Sequence, residues 1–202
     1  MTFSTHDLRR FIDATVGRDA RPLLLQTMGH FDGPGHAVDL GCGPGNDVLA
    51  LLAAGWTVDA FDVHALAIET TAARAAERGL GDGLRTTIAR FSEVELAPRS
   101  ADLIHAGFSL PFTTADEFRT IWRAIADALR DGGRFVGQLF GVNDTWAKDP
   151  DRQELTAFTR RDVDALLAPF EVEHLEEVDR DGVTATGTEK HWHVFHIIAK
   201  RT

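Results

Sequence analysis

At 202 residues, 44% of them hydrophobic, the chain has material for one ordinary domain around a single core, and its length asks for no second domain. A formal net charge of −10, with no lysine- or arginine-rich cluster interleaved with aromatics, argues against a polyanionic partner and so against nucleic acid. No run approaches the ~18 to 20 apolar residues of a membrane span, the start lacks a basic segment followed by an apolar one, and the single cysteine, Cys42, has no internal disulfide partner, so the expectation is a cytoplasmic protein with no membrane partner.

Between Thr5 and Phe31, apolar residues at Leu8, Phe11, Ile12 and Val16, then at Leu23, Leu24, Leu25 and Met28, fit two helical stretches broken near Gly17 and Pro22. His36–Leu40 is a short apolar run ending in GCGPG, after which residues 47–54 regain helical periodicity and stop at Gly55. Residues 56–61 read as a second strand, 65–78 as an alanine-rich helix closed by Gly79, and 85–89 as a third strand. Ala101–Ala106 is the fourth strand, 115–129 a helix capped by Asp131-Gly-Gly, and 134–140 the fifth strand. A polar stretch leads to a helix over 161–167. Two strand-like runs follow, 171–179 and 192–200, joined by a Gly-containing segment without a helix, as in an antiparallel pair. Strands alternating with helices predict an α/β fold with a doubly wound, mainly parallel sheet of seven strands. Residues 1–202 then form a single domain, with a helical cap over 1–35 and the sheet-bearing core over 36–202.

The loop after the first strand carries the chemistry. In Asp39-Leu-Gly-Cys-Gly-Pro-Gly45 glycines alternate at 41, 43 and 45, where a backbone leaving a strand turns sharply and lets a ligand approach it closely. The helix that follows presents unpaired N–H groups, and Asp39 supplies a carboxylate, a combination suited to an amino-acid moiety. Dinucleotide sites use GxGxxG to hold a pyrophosphate; GxGxG with an acid two positions earlier favours a ligand without phosphate. Asp62, at the end of the second strand, is either a second ligand-facing carboxylate or the N-cap of the helix from Ala65.

This loop resembles motif I of the class I S-adenosylmethionine-dependent methyltransferases, and the resemblance extends in order from His36 to the final strand. The runs VDLGCGPGNDVLALLAAG, ALRDGGRFVGQLFG and HWHVFHIIAKR look like the tellurite-resistance and thiopurine methyltransferase branch. The resemblance implies a Rossmann-like fold, S-adenosyl-L-methionine as cofactor with S-adenosyl-L-homocysteine as product, and methyl transfer to a small-molecule acceptor, a thiol or chalcogen oxyanion. It sets the cofactor against Asp39, Gly41, Cys42, Gly43, Gly45, Asn46, Asp62, Val63, Arg90, Phe91 and His105, with Asp62 on the ribose hydroxyls. Ala89-Arg90-Phe91-Ser92 departs from the pattern, because many relatives carry an acid there for the adenine amino group. Arg90 and Phe91 offer stacking faces instead, or Arg90 is a solvated loop residue, and Ser92 and Glu93 are the other acceptors nearby. Cys42 reads as a small space-filling residue of the loop, not a reactive thiol.

The resemblance places His105-Ala-Gly-Phe-Ser-Leu-Pro-Phe112 beside the transferred methyl. His105 is the candidate catalytic base, or else a hydrogen-bonded packing residue. Phe108 and Phe112 either touch the acceptor or belong to the core. Near the end of the chain His191 and His193 project from one face of an extended segment and are further candidates for the acceptor site. Trp192, Val194 and His196 project from the other face. No third convergent ligand joins the histidines, so no metal is expected. Two rival functions share the fold. One is a non-catalytic S-adenosylmethionine-binding module acting through a protein partner, suggested by the missing acid near Arg90 and the lack of an obvious base. The other is a nicotinamide-dependent oxidoreductase, which the loop spacing disfavours.

Overall fold

The computed structural model describes residues 5–152 and 154–202. The first four residues, part of the start on which the expectation about a targeting segment rests, lie outside the described residues, as does Gln153. In chain order the elements are α1 (Thr5–Thr15), α2 (Pro22–Met28), β1 (His36–Leu40), α3 (Asn46–Ala53), β2 (Thr57–Asp62), α4 (Ala65–Glu77), β3 (Leu84–Ile88) and β4 (Ala101–Ala106). They continue with α5 (Ala115–Ala128), β5 (Leu129–Gly141), β6 (Ala157–Phe158), α6 (Arg160–Leu167), β7 (Phe170–Val183) and β8 (Glu189–Arg201).

The strands form one sheet in the order β3-β2-β1-β4-β5-β8-β7, with β6 paired to the end of β5. Strands β1 to β5 pair in parallel, and β8 runs antiparallel to both β5 and β7. The chain moves outward from β1 through β2 to β3, then crosses back to place β4 on the other side of β1. This reversal opens a crevice at the carboxyl ends of β1 and β4, where open α/β sheets bind ligands. The sequence predicts seven strands; the eighth, β6, is two residues long, too short for any periodicity to reveal.

Two apolar layers flank the sheet. On one face Phe118, Ile121, Trp122, Ile125 and Ala128 form a single stripe of α5 at helical spacing and pack with α6, Phe135 and Phe195. Each such aromatic buried in full contributes about 1.5–3 kcal/mol. On the other face α2, α3 and α4 bring Leu24, Val48, Leu51 and Ile68 onto Ala37, Leu103, Val136 and Ile198. Helix α5 starts at a reciprocal cap, Thr114 Oγ1 accepting from Glu117 N and Thr114 N donating to the Glu117 carboxylate.

The end of α5 corrects the sequence reading. Leu129 is already extended (φ −65°, ψ 135°), so Asp131-Gly132-Gly133 does not cap the helix but lies in an irregular start of β5. The pairing of β5 with β4 shifts register there, Gly132 takes φ 78°, and a β carbon on Gly133 would come within 3.1 Å of the carbonyl oxygens of Ala101 and Asp102. Gly133 serves the close approach of two backbones and Gly132 the left-handed turn beside it, and neither terminates the helix.

Candidate active site

The loop after β1 is fixed from below by β2. The amides of Gly41 and Cys42 both donate to Phe61 O, at 2.8 and 3.0 Å. Gly41, Gly43 and Gly45 all take positive φ, the backbone region in which a side chain is strained. A β carbon on Gly45 would also meet Thr71 at 2.6 Å, so helix α4 closes on the loop only because glycine is there. Cys42 is buried against Thr71, and burial, with the charges of Asp39 and Asp62, pushes its thiol well above the ordinary range, as a space-filling role requires. Gly45 begins α3 with no side-chain cap, leaving amides of that helix's first turn open at the crevice.

Asp62 ends β2 and faces the loop. One of its carboxylate oxygens accepts from Gly43 N and the other from His64 N, both at 2.9 Å, so it ties the glycine loop to the turn before α4, whose N-cap is His64 and not Asp62. Burial pushes its carboxyl above the usual carboxylate range. Val63 beside it is exposed. Beyond β3, Arg90 is exposed and its backbone N–H donates to Glu93 at 2.9 Å, while Phe91 packs against the α5-side core.

Asp39 and His105 are register partners on β1 and β4 and are almost wholly buried, at 1% and 2% exposure. His105 Nδ1 lies 2.8 Å from Asp39 Oδ1. Among the described residues, Asp39 Oδ2 and His105 Nε2 have no hydrogen-bond partner, and neither has Gln138 Oε1 on the neighbouring β5. Above them sits a pair that the sequence reading missed. Arg21, which precedes α2, donates from its guanidinium and backbone N–H to the buried carboxylate of Asp47 in α3. Burial alone would raise the Asp47 carboxyl, but the charges of His105 and Arg21 outweigh it and hold the group below its ordinary range. Gly107 makes room, since a β carbon there would lie 2.8 Å from the Arg21 guanidinium carbon and 2.9 Å from His105 Cε1.

Phe108 has φ 59°, a left-handed backbone that costs a non-glycine residue about 1–2 kcal/mol. The turn sets its ring beneath Arg21 (5.7 Å to the guanidinium carbon) and against Trp192 and His196 at 6.0 and 6.1 Å. Phe108, Val178, Arg180, Trp192, Val194 and His196 border a concavity of about 290 Å³. Burial lowers the His196 imidazole below its usual range. Phe112 packs edge-on to Phe140 and next to Trp146. Behind this wall the Lys190 ammonium is buried over the rings of Trp146 and Trp192, at 3.7 and 3.9 Å, and donates to Asp144 at 2.5 Å.

His191 and His193 are not brought to Phe108. Strand alternation sends them to the opposite face of β8 from Trp192 and His196. There His193 Nε2 lies 2.9 Å from Glu177 and its Nδ1 accepts from Asn143 N at 3.0 Å, while His191 pairs with Asp179 and Asp181. No group of three metal-ligating side chains occurs among the described residues.

Helix α1 lies over the loop. Phe11 comes within 3.8 Å of where a Gly43 β carbon would sit, Leu8 and Ile12 pack with Ala67, and Asn46 donates to Thr15 O and accepts from Gly17 N. Arg10 and Arg18 then reach the turn between β7 and β8, donating to Thr186 O and Ala185 O.

This arrangement, a glycine loop between two strand-end carboxylates at the switch point of the sheet, resembles the cofactor cleft of class I S-adenosylmethionine-dependent methyltransferases. Residues 38–135 match the model of a methyltransferase domain. Its residues fit the cofactor: the cleft holds buried, unpartnered polar atoms on Asp39 and His105 beside a loop kept open by glycine. No curated protein matches the chain in sequence. Among solved structures, TehB from Haemophilus influenzae superposes with a TM-score of 0.76 at 15% identity, covering 89% of this chain. The chain spans only 61% of that protein's length. A SAM-dependent methyltransferase of Methanosarcina mazei gives 0.69 at 21% identity, covering 91% of this chain and 99% of its own. The 1,6-didemethyltoxoflavin-N1-methyltransferase of Burkholderia thailandensis, solved with 1,6-didemethyltoxoflavin and S-adenosylhomocysteine bound, gives 0.67 at 22% identity, covering 100% and 92%. No described helix is long and apolar enough to cross a membrane.

Proposed function

We propose that the chain transfers a methyl group from S-adenosylmethionine to a small-molecule acceptor, and that the acceptor is a neutral thiol in preference to a chalcogen oxyanion. The observation that carries the first half is the GxGxG loop held between Asp39 and Asp62. When bound, the cofactor supplies a sulfonium-activated methyl group. Asp39 then faces its amino-acid end, Asp62 accepts from the ribose hydroxyls while keeping its bonds to Gly43 and His64, and α1 caps the cleft. Arg90 and Phe91 take the adenine side through stacking and backbone contacts, in the absence of an acid at that position.

The acceptor preference rests on charge pairing. The wall made by Phe108, Phe112 and Trp192 is aromatic, Arg21 is engaged by Asp47, and the Lys190 ammonium is engaged by Asp144. An oxyanion would have to break one of these pairs, or lie out at the rim against exposed Arg180, to find a cation. A thiol seats against aromatic rings without doing so; its proton passes to solvent at the open concavity as the new sulfur–methyl bond forms and the sulfonium's methyl–sulfur bond breaks, and positioning supplies much of the rate. The didemethyltoxoflavin enzyme acts on a small molecule on the same fold, which supports the size class but not the atom methylated.

Calorimetric titration with S-adenosylhomocysteine, with NADH as control, tests the cofactor half; micromolar binding of the former alone is expected. Asp62→Ala should weaken that binding about tenfold to a hundredfold, the worth of hydrogen bonds to one charged group. If the variant binds as tightly as the parent, the ribose assignment is wrong. A labelled-methyl screen of thiols and chalcogen oxyanions tests the acceptor half. Binding without turnover on any acceptor would turn the reading toward a cofactor-binding module.

A further inference from the structure

We infer that His196, on β8, is the group through which the methyl acceptor loses its proton, and that the buried His105 is not. This rests on the proposed acceptor wall at Phe108 and Trp192 and names the side chain that acts there.

The case starts from what each imidazole already holds. His30, His36, His105, His174, His191 and His193 each pair with a carboxylate. His196 makes no ion pair and no hydrogen bond among the described residues, although it is half-buried on the border of the concavity. Its register partners are Gln138 on β5 and the exposed Glu176 on β7, with His174 further along the same face of β7. Burial, helped by the charge of His174, outweighs Glu176 and keeps the ring below its ordinary range, so at neutral pH it is uncharged and carries a lone pair. Gln138, 2% exposed, keeps a buried and unpartnered Oε1 directly across from it. The floor of this region thus has hydrogen-bonding capacity that the chain does not use, and buried polar atoms are nearly always satisfied once their partner is present.

The strained turn at Phe108 sets its ring edge-on to this imidazole, with 6.1 Å between centroids and 83° between planes. A molecule seated on Phe108 and Trp192 therefore lies beside His196. His105 offers neither a free ring nor an exit: its Nδ1 is committed to Asp39, and at 2% exposure a proton taken there has no direct route to water. At His196 the S–H proton of a thiol passes to the imidazole lone pair. The sulfur electron pair so released forms the bond to the methyl carbon, while the methyl–sulfonium bond breaks and its pair stays on the departing sulfur. The imidazolium then returns its proton to water at the open side of the concavity, and the neutral ring is restored.

The test is a labelled-methyl assay on the full chain with two probes, mercaptoethanol, which is protonated near neutral pH, and nitrothiophenol, which is ionised there. An ionised thiol has no proton to lose. The ratio of kcat/KM for the alkyl thiol to that for the aryl thiol should therefore fall about a hundredfold in His196→Gln, the low end of what a general base contributes. An unchanged ratio in a variant that still turns over would overturn the inference, because a packing role slows both thiols alike. Nitrogen NMR of the labelled chain provides a readout that needs no acceptor. The ring signals missing from His196→Gln should be those of a neutral imidazole near pH 7, and a protonated ring at that pH would refute the role. A parent that binds S-adenosylhomocysteine but methylates neither probe would overturn the thiol reading and this assignment with it. Failure to bind S-adenosylhomocysteine would remove the cofactor site itself, an outcome distinct from an unchanged ratio.

Discussion

Two buried ion pairs stand at the carboxyl edge of the sheet, and they differ in what they leave unfinished. Around Lys190 and Asp144, all that burial demands is supplied. The ammonium has a carboxylate and the faces of Trp146 and Trp192, while Asp144 also accepts from Trp146 N and His193 N. Around Asp39 and His105 two polar atoms, Asp39 Oδ2 and His105 Nε2, have no partner among the described residues. Both pairs are buried and join residues far apart in the sequence, so burial alone does not separate a structural pair from a binding pair. Residual hydrogen-bonding capacity does.

That contrast makes Lys190 the place for the largest loss of stability. Lys190→Ala leaves Asp144 buried without its cation and should cost about 3–5 kcal/mol in urea unfolding, while the folded protein binds S-adenosylhomocysteine within about twofold of the parent. A parallel loss of affinity would mean that the two pairs are not separate. Gly107→Ala strikes the other pair. Its β carbon would press on His105 and Arg21, with an overpacking cost of about 1–3 kcal/mol, and here affinity should fall together with stability. Unchanged binding would show that the Asp39–His105 pair tolerates displacement. Phe108→Gly sits between the two regions: relief of the left-handed backbone offsets the lost ring, so stability should move by no more than about 1 kcal/mol. Cofactor affinity should hold while the KM for a thiol acceptor rises.

The smallest effect belongs to His191, on the solvent side of β8. Hydrogen bonds to Asp179 and Asp181 raise its imidazole above the ordinary range. A raised histidine adds stability that is complete below the unfolded value, near pH 6.5, and is lost as pH climbs through the folded value. His191→Gln should therefore lower the urea midpoint at pH 6 and leave it unchanged at pH 9. A difference that persists at pH 9 would assign the effect to packing.

What the sequence revealed and what it hid divide along contact distance. The glycine loop, the strand-end acids and the α/β alternation are written in consecutive residues, because turn geometry and side-chain period act locally. The departure at Arg90 was visible for the same reason. Arg21 and Asp47 stand 26 positions apart, and Lys190 and Asp144 46 apart, so no spacing rule links them; only the switch in strand order and the β8 register bring them together. The two histidines of HWHVF show the limit from the other side. Alternation correctly put His191 and His193 on one face, but which face looks toward Phe108 depended on how the hairpin docks. The Asp131-Gly-Gly run misled because glycine after a helix signals a cap and a close backbone approach equally well.

The seam between α1 and the β7–β8 turn joins arginine side chains on one side to main-chain oxygens of Ala185 and Thr186 on the other. Every residue type carries that oxygen. The turn is thus free to drift in sequence, reshaping the rim beside Arg180 and Val183, while the arginines keep their grip on whatever replaces it. A substitution in the turn therefore alters the rim beside Arg180 and Val183 without removing the oxygens to which Arg10 and Arg18 donate.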